Sequence, residues 1–214
     1  MTVRKETGND AKSKKLLFKQ NITFSLGVTR IEDLPEENSA EVAFFGRSNV
    51  GKSSLLNSIT NKNKLAYTSK NPGRTRELNF FSLSQNSKTL INIVDMPGYG
   101  FAKASKDQIK KWTKLSDAYL KNRKNLRRVF LLIDSRRKIM PIDNEIMDVM
   151  DDHAVSYQIV LTKADKILKV ENLAELVLKE VEKRKAIFPK ILITSSKSKF
   201  GIDDIREEIA SLIN

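Results

Sequence analysis

The chain has 214 residues, 40% of them hydrophobic and 30% charged, a composition typical of a single globular domain with a charged surface. It contains no cysteine, which excludes disulfide bonds, thiolate nucleophiles and thiolate metal sites. The longest aliphatic and aromatic run extends only from Val129 to Ile133, whereas a membrane-spanning helix needs about 20 such residues. The basic N-terminus has no apolar segment typical of a secretory signal, so we expect a cytoplasmic location.

The charge is strongly positive, with 39 Lys and Arg against 26 Asp and Glu, and the formal net charge is +13. Residues 103–138 hold 13 basic residues and three acidic ones, so most of the excess lies in this segment. A solvated basic face is one interpretation, but the concentration favours a polyanionic partner. Since few aromatic residues beyond Trp112 and Tyr119 lie in the segment, a base-stacking platform is disfavoured, and we expect recognition of the backbone or shape of a folded nucleic acid.

Short apolar runs alternate with segments of helical periodicity from residue 40 onwards. Before them, residues 1–21 are expected to form a flexible basic extension, and residues 22–39 an irregular lead-in to a domain that spans residues 22–214. The predicted strands are residues 41–45, 78–83, 89–94, 128–133, 156–161 and 190–193. The predicted helices are residues 53–60, 107–120, 142–150, 171–185 and 202–213, the third of which carries Met and Ile residues expected to fill the core.

The order of these elements predicts an α/β fold with a six-stranded, mostly parallel sheet and helices on both faces. The polar turn at residues 84–88 joins the second and third strands into a hairpin, so one strand is expected to run antiparallel. Right-handed crossovers place the strand-to-helix loops at one edge of such a sheet, and ligands bind at that edge.

The first loop matches the pattern G-x-x-x-x-G-K-[ST] between a strand and a helix, which is the context that a phosphate-binding loop requires. Glycines let the main chain curl so that successive N–H groups point at phosphate oxygens, and the helix N-terminus adds positive charge. Lys52 is predicted to bind the β- and γ-phosphates, and the Ser53 hydroxyl to bind Mg²⁺. A glycine-rich turn without a ligand is the alternative. The loop consists of Gly46, Arg47, Ser48, Asn49, Val50, Gly51, Lys52 and Ser53.

The second loop, Asp95-Met96-Pro97-Gly98, comes directly after the strand at residues 89–94. An acid at the tip of a buried strand can hold Mg²⁺, usually through water, and the Gly98 N–H can bind a γ-phosphate. This four-residue pattern is weak by itself, but it is strong after a phosphate-binding loop and a hairpin.

The third and fourth loops predict which base is bound. In Thr162-Lys163-Ala164-Asp165, the Asp165 carboxylate can accept hydrogen bonds from the N1–H and N2–H₂ groups of guanine, a donor pair that adenine lacks. The Lys163 stem would pack over the base while its ammonium steadies the loop. In Thr194-Ser195-Ser196, main-chain N–H groups could bind the guanine O6. Helix capping is the alternative role for both loops.

The segment from Asn61 to Glu77 is rich in polar and turn-forming residues. Such a segment is poorly ordered without a partner and can become ordered when a γ-phosphate is present. The Thr75 hydroxyl could then complete the coordination of Mg²⁺. Thr68 is a rival candidate, but Thr75 is preferred because it lies next to the strand that would anchor it.

The motifs GRSNVGKSSLLN, NPGRTRELNFF, DMPGYGFA, TKAD and TSS together resemble the EngB (YihA/YsxC) family of bacterial GTPases, among the TrmE-Era-EngA-EngB-Septin-like G domains. The resemblance covers residues 22–214. It implies a three-layer, Ras-like P-loop NTPase fold that binds GTP and GDP, requires Mg²⁺ and hydrolyses GTP. It also implies roles in large ribosomal subunit assembly, cell division and septation. The nucleotide contacts then include Gly73, Arg74, Thr75, Arg76 and Glu77.

Tyr99 follows Gly98 at the position where many Ras-like GTPases have a Gln that orients the attacking water. A phenol cannot present a donor and an acceptor in the geometry of an amide, so we expect slow intrinsic hydrolysis, no faster than about 10⁻⁴ to 10⁻² s⁻¹. By resemblance to related GTPases, Asn49 could help to bind a K⁺ ion that accelerates hydrolysis; alternatively, Asn49 only permits a tight turn. The expected catalytic residues are Lys52, Asn49, Thr75 and Gly98, and the expected metal ligands are Ser53, Thr75 and Asp95.

The leading hypothesis is a monomeric GTPase switch whose loops become ordered with GTP and bind pre-ribosomal RNA or protein. One rival is an ATP-dependent P-loop enzyme such as a kinase, against which Asp165 argues. The other rival is an RNA-binding assembly module in which nucleotide only tunes affinity. His153, the single histidine, has no partner pattern around it and is expected at the surface near a helix end rather than as a general base.

Overall fold

The computed structural model of the protein describes Phe18, residues 22–62, Leu65, residues 77–100, residues 106–167, Val170 and residues 172–213, and it describes the side chains of the helix at 106–122 from residue 114 onwards. No helix in this part of the chain is both long and apolar enough to cross a membrane. The strands are β1 (Ile22–Val28), β2 (Ala40–Gly46), β3 (Leu78–Gln85), β4 (Lys88–Asp95), β5 (Leu126–Asp134), β6 (Tyr157–Thr162) and β7 (Leu192–Ile193). The α-helices are α1 (Lys52–Ile59), α2 (Lys106–Asn122), α3 (Pro141–Asp152), α4 (Leu173–Val181) and α5 (Ile202–Ala210).

These strands form one sheet in the order β1-β3-β4-β2-β5-β6-β7. β2 lies in the middle and pairs in parallel with β4 and β5, and β6 and β7 continue the parallel part. β3 runs antiparallel to both of its neighbours, β4 and β1. The predicted α/β fold, with a mostly parallel sheet and an antiparallel hairpin, is confirmed.

The prediction of six strands was wrong, because residues 22–28, expected within an irregular lead-in, form the edge strand β1. Ile22 and Val28 at its ends are fully buried, whereas Phe24 is 54% exposed and the other residues between them are not buried either. The alternation that predicts a strand from sequence is therefore weak here. Pairing with β3 holds this segment in the extended conformation.

The hairpin between β3 and β4 turns through Asn86 and Ser87, whose φ angles are 49° and 63°. Two consecutive left-handed residues suit the twist of antiparallel strands, as in type I′ turns. The register pairs Asn79 with Asp95, so β3 begins at the edge of the sheet where β4 ends. The segment that precedes β3 therefore enters the sheet at the edge that carries the predicted ligand-binding loops.

Helices cover both faces of the sheet, because successive residues of a strand point to opposite sides. Val42 and Phe44 of β2 pack in one core, together with apolar residues of α1 and α5. Ala43 and Phe45 pack in a second core, together with apolar residues of α2, α3 and α4. The expected core-filling role of the α3 methionines is confirmed, since both are fully buried in the second core.

Phe18 is fully buried in the first core, together with Ile22 at the beginning of β1. It lies within the predicted flexible extension, of which residues 1–17 and 19–21 are outside the described residues. The domain boundary at residue 22 therefore stays a prediction.

Two arginines of the basic segment are used inside the protein. Arg123, after α2, donates to Glu41 of β2 through Nε at 2.9 Å and Nη2 at 2.5 Å, and the Tyr119 hydroxyl donates to the same carboxylate at 2.9 Å. Arg128 of β5 donates to Glu208 of α5 at 2.9 Å. Since buried charges need partners, these contacts stabilise the packing of α2 and α5 on the sheet. Neither arginine belongs to an exposed basic face.

His153 is the C-cap of α3, which agrees with the position expected from the sequence. Its Nε2 lies 2.9 Å from Oδ1 of Asp117 in α2, and its side chain is only 20% exposed. The sequence around His153 shows no partner pattern, because its partner lies 36 positions away in another helix. The contact connects α2 with α3.

Candidate nucleotide-binding site

Polar loops meet at the edge of the sheet where the parallel strands end. They follow β2, β4, β5, β6 and β7. Because the carboxyl ends of parallel strands lie at one edge, the four loops singled out in the sequence are brought together. The loop after β5, residues 135–140, joins them and was not predicted.

The loop between β2 and α1 makes a turn that depends on two glycines. Gly51 has a φ angle of 108°, a left-handed conformation that glycine adopts at no steric cost, and Asn49 has a φ angle of 63°. A Cβ on Gly46 would lie 2.9 Å from the Cβ of Leu132, so a larger residue would displace β5. The first N–H groups of α1 have no intrahelical partner and carry the positive end of the helix dipole. A phosphate group can therefore bind at this loop.

Lys52 and Asp95 form a buried ion pair at this loop. The Lys52 Nζ donates to Oδ1 of Asp95, and the two side chains are only 9% and 6% exposed. Each charge stabilises the other, because a buried charge without a partner is costly. Thus the lysine predicted to bind phosphates and the acid predicted to bind Mg²⁺ are in direct contact.

The chain after Asp95 runs along the phosphate-binding loop. The Tyr99 N–H donates to the Gly46 carbonyl at 3.2 Å, and the Ser48 N–H donates to the Tyr99 carbonyl at 3.0 Å. A Cβ on Gly98 would lie 3.3 Å from both the Gly46 oxygen and the Ser48 nitrogen, so glycine permits this close approach. A movement of residues 98–99 would therefore displace the phosphate-binding loop. Met96, between Asp95 and Pro97, is fully buried in the second core.

The side chain of Tyr99 is directed at α3. Its hydroxyl donates to Oδ1 of Asp143 at 2.7 Å, and its ring packs edge-to-face on Phe45 with 5.0 Å between centroids. Asp143 also accepts from the Met140 N–H at 2.9 Å and so caps the first turn of α3. Burial, and then the Asp143 carboxylate, raise the pKa of Tyr99 well above its ordinary value, so it stays neutral. Sequence reasoning missed Asp143, although Pro141 followed by an acid two residues later is a typical helix start.

Asp165 and Ser195 connect the two loops that were predicted to bind guanine. The Ser195 hydroxyl donates to Oδ1 of Asp165 at 2.7 Å and accepts from the Ser198 N–H at 3.1 Å. The hydrogen bond from Ser195 is the main cause that lowers the pKa of Asp165, so the carboxylate is ionised and aligned. The Ala164 N–H donates to the Thr194 carbonyl at 3.1 Å.

A cavity of about 400 Å³ opens beside this pair, large enough for a purine base. It lies between the beginning of α1 and the loops after β6 and β7. A base held here would have the Asp165 carboxylate at its side. The lining residues are Gly51, Ser54, Ser58, Thr162, Lys163, Asp165, Lys166, Ser196 and Lys197.

Lys163 connects the Asp165 loop to the phosphate-binding loop. Its Nζ donates to the Asn49 carbonyl at 2.7 Å and lies 2.9 Å from Oδ2 of Asp134, at the end of β5. Thr162 adds a second link, since its hydroxyl donates to the Val50 carbonyl at 2.7 Å. The ammonium of Lys163 thus connects the two loops, while the predicted packing of its stem over a base stays a prediction.

Asp134 is a further residue that the sequence prediction missed. Arg136 donates to both of its oxygens, at 2.9 and 2.6 Å. These hydrogen bonds, and then those of Lys163, hold the pKa of Asp134 well below its usual range. The sequence feature that could have identified Asp134 is the one that identified Asp95, namely an acid at the tip of a buried strand.

The remaining predicted contacts fall on the segment before β3. Gly73, Arg74, Thr75, Arg76 and the rival Thr68 lie outside the described residues. Glu77 is exposed, and its Oε2 lies near Gly27 of β1. The roles assigned to this segment stay predictions.

The oxygen donors near Lys52 fit a magnesium ion bound together with a nucleotide. Among the described residues, no three His, Asp or Glu side chains converge as a metal site. Ser53 in the first turn of α1 and Asp95 at the end of β4 would supply one hydroxyl and one carboxylate. Mg²⁺ accepts such a set, because it keeps several waters and takes its other ligands from substrate phosphates.

Comparisons with known proteins agree with this geometry. A family model described as 50S ribosome-binding GTPase matches residues 41–163, more than half of the chain. The probable GTP-binding protein EngB of Hyphomonas neptunium is 49% identical over 201 residues, covering 92% of this chain and 90% of that protein. A protein of the same description from Caulobacter vibrioides is 45% identical, covering 96% of this chain and 89% of that protein.

Solved structures show the same fold. The crystal structure of a probable GTP-binding protein EngB has a TM-score of 0.63 at 25% identity, covering 81% of this chain and 98% of that chain. Era in complex with MgGDPNP and nucleotides 1506–1542 of 16S ribosomal RNA has a TM-score of 0.68 at 23% identity, covering 82% and 57%. The family model and the curated relatives are GTPases or GTP-binding proteins, which contradicts the rival hypothesis of an ATP-dependent enzyme. They confirm the resemblance found in the sequence. The chain belongs to the EngB family of GTP-binding proteins and is a GTPase.

Proposed function

We propose that this GTPase is a nucleotide-dependent switch in the assembly of the large ribosomal subunit, and that normal cell division and septation depend on its activity. The observation that carries the switch is the contact of Gly98 and Tyr99 with the phosphate-binding loop, next to the buried Lys52–Asp95 pair. Triphosphate oxygens attract Lys52, and a magnesium ion attracts Asp95. Binding of GTP therefore acts on the same segment that contacts the loop.

A ribosomal partner is supported by the comparisons and by charge. The matching family model is described as ribosome-binding, and Era, which shares the fold, has been crystallised with a fragment of ribosomal RNA. The chain has a net charge of +13, and Lys121, Lys124, Arg137 and Lys138 are among its exposed cations. Such charge favours a polyanion such as ribosomal RNA. We place the protein in the cytoplasm, acting as a monomer.

For the nucleotide, we assign the phosphates to residues 46–53, with Lys52 on the β- and γ-phosphates. Asp165, aligned by Ser195, takes the N1–H and N2–H₂ groups of guanine, and main-chain N–H groups of residues 194–196 take O6. Residues 73–77 contact the nucleotide when a γ-phosphate is present. Ser53, Asp95 and Thr75 would hold Mg²⁺ as its three protein ligands. The ion would neutralise charge on the phosphate oxygens.

Intrinsic hydrolysis is proposed to be slow, because Tyr99 is bonded to Asp143 and cannot orient a water molecule. The proposed catalytic contribution comes from Lys52, the Gly98 N–H and Thr75, together with a K⁺ ion held with the help of Asn49. Two observations support the role of Asn49: the residue is exposed, and its main-chain carbonyl accepts a hydrogen bond from Lys163. The Asn49 side chain is therefore the group available to an ion.

The alternative is an RNA-binding assembly module in which nucleotide only tunes affinity. The exposed cations favour it as much as they favour the switch. The two functions differ in whether GTP and GDP change the affinity for ribosomal particles.

Sedimentation of purified large-subunit precursors with the full chain separates them. We expect more protein in the particle fraction with a non-hydrolysable GTP analogue than with GDP or no nucleotide. Asp165→Asn is the matched variant, because it keeps the basic surface and loses guanine recognition. It should sediment equally in all three conditions. Equal sedimentation of the wild type in all three would contradict the switch and leave the alternative.

A further inference from the structure

A second cavity of about 240 Å³ lies between the phosphate-binding loop and the loop that follows β5. It shares Lys163 with the cavity beside Asp165 but opens towards the beginning of α3, and we call it the β5–α3 cleft. Its wall includes Arg47, Asp134, Arg136, Arg137, Lys138 and Asp143.

The cleft has an excess of positive charge that no carboxylate in the described part of the chain neutralises. Its two acids are engaged, Asp134 with Arg136 and Lys163, and Asp143 with the Tyr99 hydroxyl and the Met140 N–H. In contrast, no carboxylate in the described part of the chain forms a salt bridge with Arg47, Arg137 or Lys138. Arg137 and Lys138 are exposed. The cleft therefore attracts an anion.

A buried hydroxyl in the wall adds a second observation. Ser48 lines the cleft, and its Oγ is shielded from solvent and has no hydrogen-bond partner among the described residues. Buried polar atoms of this kind are normally bonded. A phosphate group in the cleft would supply the missing acceptor.

We propose that the β5–α3 cleft binds backbone phosphates of RNA; the proposal rests on the ribosomal partner of the proposed function. Two adjacent arginines present planar forks that suit phosphate oxygens. None of the described lining residues is aromatic, which fits backbone contacts rather than base stacking. Of the basic segment 103–138, Arg123 and Arg128 are consumed inside the protein. The exposed remainder includes three consecutive cations, residues 136–138, at this cleft.

Arg136 makes the cleft sensitive to the nucleotide. It holds Asp134, which in turn holds Lys163, whose Nζ donates to the Asn49 carbonyl of the phosphate-binding loop. A phosphate that draws Arg136 into the cleft weakens this chain of contacts. By thermodynamic linkage, RNA and nucleotide then change each other's affinity by the same factor.

The test uses the full chain and a fluorescently labelled RNA hairpin as the probe. The double variant Arg137→Ala/Lys138→Ala removes two cations of the cleft, and Lys121→Ala/Lys124→Ala is a matched control that removes two exposed cations at the end of α2. We expect the cleft variant to bind the hairpin roughly tenfold more weakly and its log–log salt dependence to fall by about 2. The control should lose less than about threefold, and GDP affinity without RNA should be the same in all three proteins, which also shows that they are folded.

Equal losses in the two double variants would overturn the proposal, since binding would then follow total charge alone. It would also be overturned if poly-glutamate displaced the hairpin as well as unlabelled RNA does, which would favour an acidic protein. Sedimentation with ribosomal particles separates this proposal from the proposed function. Nucleotide-dependent sedimentation that the cleft variant retains would overturn the cleft and spare the switch. Loss of hairpin binding in the cleft variant, with sedimentation that ignores nucleotide, would support the cleft and contradict the switch.

Discussion

The Tyr99 hydroxyl donates a 2.7 Å hydrogen bond to the Asp143 carboxylate, and this contact connects the segment after β4 to the first turn of α3. The same residue is bonded through its main chain to Gly46 and Ser48 of the phosphate-binding loop. Tyr99 therefore joins three elements and positions them.

Tyr99→Phe tests this positioning role. The variant keeps the ring on Phe45 and loses the hydrogen bond to Asp143, so the free energy of unfolding should fall by about 1–2 kcal/mol. Single-turnover GTP hydrolysis should change by less than about twofold, because the hydroxyl is bonded to Asp143. Urea unfolding and phosphate release measure the two quantities. A loss of hydrolysis at unchanged stability would assign the phenol to catalysis instead.

Lys52→Met should destabilise the nucleotide-free protein by roughly 3 kcal/mol, because it leaves the Asp95 carboxylate buried without its cation. The double variant Lys52→Met/Asp95→Asn removes both charges and should recover part of that loss. Urea unfolding without nucleotide measures the effect. If the single and double variants were equally stable, the unpaired Asp95 carboxylate would cost nothing and this explanation of the loss would be wrong.

Asp165→Asn should reduce the preference for GDP over ADP by a factor of about 100 or more, since two hydrogen bonds to a charged acceptor are lost. Ser195→Ala keeps the carboxylate and removes the donor that aligns it, so GDP should bind roughly tenfold more weakly with the base preference retained. Competition against a fluorescent guanine nucleotide measures both. Unchanged affinity in Ser195→Ala would show that the Asp165 carboxylate needs no alignment.

Arg136→Ala should make the protein more sensitive to acid. The folded state holds the pKa of Asp134 below the ordinary value of 3.8, mainly through hydrogen bonds from Arg136. A carboxylate of this kind stabilises the fold above its ordinary pKa, and the stabilisation is lost as pH falls through the lowered pKa. Without Arg136 the loss begins at higher pH, so the acid-unfolding midpoint moves upward. Arg137→Ala, which removes a cation with no carboxylate partner in the described part, is the control and should leave the midpoint in place.

Potassium should accelerate GTP hydrolysis relative to sodium at equal ionic strength, and Asn49→Ala should remove the difference. The physical reason is that an ion beside the phosphates can supply the positive charge that an arginine finger supplies elsewhere. GDP affinity is the control, since the main-chain carbonyl of Asn49 stays bonded to Lys163 in the variant. Equal wild-type rates in the two salts would rule the ion out.

The phosphate-binding loop and the Asp95, Asp165 and Ser195 motifs could be located from the sequence because their information is local. Fixed spacing of glycine, lysine and acids between a strand and a helix specifies a turn and the groups around it. The parallel strands then bring those loops to one edge, so finding the motifs was enough to expect their meeting.

Long-range contacts decided the rest. Residues 22–28 form a strand because they pair in antiparallel with β3, and no local sequence pattern indicates that pairing. In the sequence, the basic segment is one charged stretch. In the fold, Arg123 is buried against Glu41 and Arg128 against Glu208, residues more than 75 positions away. Asp134 and Asp143 gained roles only when β5 and α3 packed beside the phosphate-binding loop. Local spacing determines which groups a loop can present, whereas burial and charge pairing depend on which distant segments the fold places against them.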